Sequence, residues 1–133
     1  MKRCDVIRYE DTTIVVVDAA HATSAEVVQI LEEGRRLVAT FPLKSVRLLT
    51  DATEASYSTV SIAALRVFAT RNSPFILASA VIGLDGIRTM ALNQIRSLTG
   101  RPIRAFSCRE YAVAWLAEQG EPVARVTHIL SLP

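Results

Sequence analysis

The stretch "FILASAVIGL", Phe75–Leu84, is the most apolar window of the chain, and its reading decides the fold. It is about half the length of the ~20 residues that a membrane-spanning helix needs. Its apolar residues follow one another instead of alternating with polar ones, as in a strand covered on both faces. A sheet covered on both faces needs helices on either side. The stretch therefore points to a layered α/β domain.

Outward from this strand, the chain alternates short β-branched runs with helical patterns. "DVIRY" and "TIVVVDA" flank "EDT" and read as a hairpin, and "SVRLLTD" and "PIRAF" supply two further strands. Four helices are predicted. The first opens at "TSAE", where Thr23 and Glu26 form a capping box. It places Val27, Ile30, Leu31, Val38 and Phe41 on one stripe. Gly34 inside that stripe costs roughly 1 kcal/mol against alanine, which points to close approach to the sheet. The second, about Ser58 to Arg71, is apolar over most of its circumference, so it is either deeply covered or has one flank on a partner. The third runs from Asp85 to Thr99 with Gly100 as its C′ stop. The fourth opens at a second capping box, "SCRE", and closes at Gly120. The organisation is one domain over 1–120 and an apolar tail over 121–133, expected at a subunit interface or packed back on the domain.

Half of the 133 residues are apolar and the mean hydropathy is +0.30, which excludes a disordered chain. Fifteen basic against thirteen acidic residues give a net charge of +2, too balanced to suggest nucleic acid as a partner. No segment reads as an integral membrane span or a signal peptide, and Cys4 and Cys108 lack metal or disulfide spacing. A reduced, cytoplasmic protein with no cofactor and no metal is the expectation.

Several motifs together give a family likeness. They are "LLTDATEASYS" leading into a helix, "SPFILASAVIGLDGIRTMALNQIRSLTGRPIRAF", and "SCREYAVAWLAE". On these the chain resembles the SpoIIAA-like family of STAS/SEC14-type domains, similar to the anti-sigma-factor antagonists, from about Tyr9 to Glu118. The resemblance implies a mixed five-stranded sheet packed with four helices, a regulatory or binding role, and no established catalytic residues. The antagonists switch partners through a serine phosphorylated at the start of the second helix. SEC14-type domains suggest a lipid-like ligand.

In "LLTDATEASYS", Asp51 and Tyr57 match the strand-end acid and the aromatic before the helix, but the Asp-Ser pair of the antagonists is absent. Ser58 and Thr59 occupy the helix start instead. They are the candidate phosphorylation sites, but helix capping fully explains a hydroxyl there and is the preferred reading, with Ser58 as the cap and Thr59 as the acceptor if there is one. Asp18 and Asp51 both end strands, and His21 follows Asp18 by three residues. With Ser56 they form a candidate hydrolytic set at the carboxyl ends of the strands. No nucleophile elbow accompanies them. In "IGLDGIR", Gly83, Gly86 and Arg88 are candidates for holding an anion at a helix N-terminus.

Three functions follow from this reading. The first is a non-catalytic module, expected as a homodimer or bound to a protein partner through Arg66 and Val67 on the second helix. The second is a carrier or sensor of a small amphipathic or lipid-like ligand, in a pocket walled by Phe68, Phe75, Leu84 and Met90. The third is a hydrolase using Asp18 and His21.

Overall fold

The consecutive apolar residues of the strands divide between the two faces of one sheet. The computed structural model describes residues 2–85, 92–93, 96–97 and 99–120. Five strands form the sheet: β1 (Cys4–Tyr9), β2 (Thr12–Asp18), β3 (Val46–Asp51), β4 (Ile76–Ile82) and β5 (Ile103–Phe106). Their spatial order is that of the sequence, β1-β2-β3-β4-β5. The β1–β2 hairpin is antiparallel, and the other three pairs are parallel, so the sheet is mixed.

Helices α1 (Ser24–Val38) and α2 (Thr59–Arg71) lie on one face, and α3 (Arg109–Glu118) lies on the other. In β2, Val15 and Val17 pack toward α1, whereas Ile14 and Val16 pack toward α3. The period of two along a strand thus turns one unbroken apolar run into two half-cores. In β4 a register shift near Val46 and Arg47 sends Ile76 to the α1 side and Ala78 to the α3 side. Past that extra residue the alternation resumes, with Ser79 and Val81 toward α2 and Ala80 and Ile82 toward α3.

The described residues delimit three helices, where the sequence pattern predicts four. The expected Asp85–Thr99 helix falls largely on residues outside the described ones; Leu92, Asn93, Arg96, Ser97 and Thr99 are helical. Gly100 follows at φ 70°, with its N–H donating to the Arg96 carbonyl at 3.0 Å. The expected tail over 121–133 lies outside the described residues.

The helix ends follow local chemistry. The Thr23 hydroxyl accepts from the Glu26 N–H, and the Glu26 carboxylate accepts from the Thr23 N–H at 2.9 Å. The same reciprocal pattern caps α2 with Ser58 and Ser61. The second predicted capping box, "SCRE", does not form: α3 starts one residue later, with Cys108 as its N-cap and no side-chain cap bond. At its other end, the Arg47 guanidinium donates to the Leu116 and Gln119 carbonyls at 3.1 and 2.7 Å. A cation from the sheet thereby satisfies helix-terminal acceptors.

Gly34 joins α1, α2 and the sheet. A Cβ there would stand 3.0 Å from Val17 Cγ2 and 3.2 Å from Phe68 Cε2. The glycine thus lets α1 settle onto β2 and Phe68 settle onto α1. Among the described residues no helix is long and apolar enough to cross a membrane.

Candidate functional site

Helix α2 touches α1 along one flank, but a cavity of about 320 Å³ separates it from the sheet. The floor is Leu48 and Thr50 of β3, Ser79 and Val81 of β4, and Ile103 of β5. The roof is Ile62, Leu65, Arg66, Phe68 and Ala69 of α2. Ala52, Tyr57, Leu84, Leu92 and Arg101 close the ends. Its lining includes two small buried residues, Ser79 of the sheet and Ala69 of α2, both held by Arg101. Most of the lining is apolar, with a few polar groups set into it, the usual make-up of a small-molecule site.

Arg101 is the unusual group. It is 7% exposed, and burial pushes its guanidinium down to about 10. Its Nε donates to Ser79 Oγ at 3.2 Å and its Nη1 to the Ala69 carbonyl at 3.0 Å. Ala69 is among the last four residues of α2, whose carbonyls lack helical partners. No carboxylate pairs with Arg101 among the described residues. Buried charges are ordinarily paired, so this one stands out.

The predicted pocket walls are only partly those found. Phe68 and Leu84 line the cavity. Phe75 packs instead with the α1-side core, because it precedes β4 at the opposite end of the strand from the cavity. Met90 lies outside the described residues, as do Gly86 and Arg88 of the predicted anion loop. Gly83, at φ 84°, is pressed against the Thr53 backbone, which accounts for the glycine by close chain approach. Arg66 and Val67 are both exposed on α2, Val67 at 48%, and Arg66 also borders the cavity mouth.

Asp18 and Asp51 are register partners at the ends of β2 and β3. Each carboxylate accepts a backbone N–H two residues on, from Ala20 and Thr53, both at 3.0 Å. Asp18 also stands 3.9 Å from Arg3. His21 is exposed, with positive φ, and its N–H donates to the Thr53 carbonyl. No hydrogen bond joins the His21 ring to Asp18, Asp51 or Ser56 among the described residues. The carboxylates act here as turn-forming groups. Ser58 and Thr59 are exposed at the start of α2, and Ser58 Oγ lies 2.5 Å from Ser24 Oγ. Ser24 in turn donates to the buried Ser61 hydroxyl at 3.0 Å.

Sequence reasoning missed Arg101 and Ser79. The available signal was a charged residue directly before a buried strand, in "GRPIRAF", and a hydroxyl inside the apolar run of β4.

No family model matches the chain, and no curated protein does either. An uncharacterized protein of the DUF3478 family from Shewanella loihica PV-4, solved with a SpoIIAA-like fold, is similar over 85% of this chain and 91% of its own. The TM-score is 0.67 at 17% identity, a likeness of fold. In fold, this chain is a SpoIIAA-like α/β domain.

Proposed function

We propose that the domain is a non-catalytic binding module of the STAS type that holds a small amphipathic ligand between α2 and the sheet. The observation that carries this reading is the largely apolar cavity of about 320 Å³ beneath α2. Close-packed interiors leave few voids larger than a water molecule. At ~30 Å³ per water-sized group, the space suits a molecule of roughly ten non-hydrogen atoms. Native mass spectrometry of freshly purified protein, repeated under denaturing conditions, tests the reading. Added mass that is lost on denaturation supports it. Bare protein that also gains no thermal stability from a panel of eight- to ten-carbon amphiphiles would overturn it.

A second reading is favoured by the outer side of the same helix. Val60 and Val67 are 69% and 48% exposed there, beside Arg66. In this reading the domain, alone or as a homodimer, meets a protein partner through Arg66 and Val67, with Ser58 or Thr59 as a phosphorylation point at the helix start. Val67→Asp should then abolish partner binding and leave ligand binding intact; a partner bound equally well by the variant removes this surface from consideration.

A further inference from the structure

Resting on the cavity reading above, we infer that the ligand is a monoanion, an amphipathic carboxylate whose headgroup docks on Arg101. The lining carries two cationic side chains, Arg101 and Arg66, and no acid. Arg101 as a whole is buried, at 7% exposed. Two of its nitrogens are engaged by neutral acceptors, Ser79 Oγ and the Ala69 carbonyl, while Nη2 has no hydrogen-bond partner among the described residues.

The local geometry suits a carboxylate. Ser79 Oγ accepts from Nε, which leaves its own O–H proton available to donate. A headgroup at the guanidinium would thus meet Nη2 and a hydroxyl from one side, with the Thr50 hydroxyl on the same strand layer. Phe68, Leu65 and Val81 supply the apolar walls for the chain behind it. One buried cation selects one negative charge. Arg66 is exposed at the rim, where water screens it, so it attracts anions without fixing them.

The test compares octanoate with 1-octanol, its neutral counterpart of nearly equal size, by calorimetry on the full chain freed of bound ligand. Hydrogen bonds to a charged group predict a preference for octanoate of about 10- to 100-fold in the unmodified protein. Arg101→Met should reduce that preference to near unity while octanol still binds, which also reports that the variant is folded. Equal binding of octanoate and octanol to the unmodified protein would overturn the anion inference and leave the cavity reading standing. A preference that survives Arg101→Met would overturn the role of Arg101. Binding of neither compound would bring down the cavity reading itself. The comparison on unmodified protein decides the charge question even if the variant does not fold.

Discussion

Replacing Arg101 by methionine in the ligand-free protein separates a binding group from a structural one. Burial lowers its pKa to about 10, which corresponds to about 3 kcal/mol of penalty for holding the cation in the fold. Methionine removes that penalty and keeps most of the apolar stem. Against this, the Ala69 carbonyl loses its donor, at about 1–3 kcal/mol for an unsatisfied buried acceptor. The Ser79 hydroxyl can turn to another partner. The two effects nearly cancel, so urea denaturation at pH 7 should find the variant within about 1 kcal/mol of the unmodified protein. An arginine held for structure by a buried ion pair would instead cost about 3–5 kcal/mol on removal. A loss of that size would refute the reasoning.

The pH dependence carries a sign as well. Arg101 is a base whose folded pKa lies below its unfolded value, so its penalty is complete below about pH 10 and relieved as pH rises above that. The unmodified protein should therefore gain on the methionine variant only in that window, with a flat difference from pH 7 to 9. Taking the difference between the two proteins cancels the other groups that titrate in alkali.

One such group is Cys4, whose thiol burial pushes up to about 12, helped by Glu33 and Asp18. This acid stays neutral in the fold, so the stability it contributes is complete below its unfolded value of 9.0 and fades as pH rises toward 12. At pH 8, alkylation followed by mass spectrometry should label the half-buried Cys108 well before Cys4; equal rates would contradict the burial argument. Gly83→Ala should cost more than about 3 kcal/mol, because its Cβ would lie 2.5 Å from the Cα and N of Thr53 at a φ of 84°. Thr53 is held by Asp51 and His21 and has nowhere to retreat, so an unchanged urea midpoint would be decisive against this account. Ser58→Ala should lose about 1 kcal/mol of cap stabilisation, and Thr59→Ala should stay within about 0.5 kcal/mol. Thermal melts of the two variants should therefore separate cleanly.

The strands were legible because their chemistry is local and redundant. "TIVVVD" and "FILASAVI" contain too many adjacent apolar residues for any one-sided element, and the three-layer packing is the answer to that pattern. The Thr23–Glu26 box was legible for the same reason, since both partners sit three residues apart. "SCRE" has matching letters but failed, because a cap also depends on where the incoming strand leaves the chain, and here that places Cys108 at the boundary. Gly83 read as an anion loop because glycine signals close approach without saying what approaches. The neighbour is the Thr53 backbone, thirty positions away in sequence.

The cavity could be read only in part because it is made by register. Arg101 meets Ser79 across 22 positions and Ala69 across 32, and nothing in the local spacing announces either contact. Both follow once β4 pairs parallel to β5 with Ser79 opposite Ile103. Helix α2 shows the same limit from the other direction. Its nearly all-round apolar surface predicts either deep cover or a partner on one flank, yet it faces three different surroundings. One flank lies on α1, the inner side roofs the cavity, and Val60 and Val67 face outward. Arg101 reaches the small residues Ala69 and Ser79 of α2 and β4 beside the cavity. Among the described residues, these positions adjoin a buried cation that has only neutral acceptors, Ser79 Oγ and the Ala69 carbonyl, and no carboxylate.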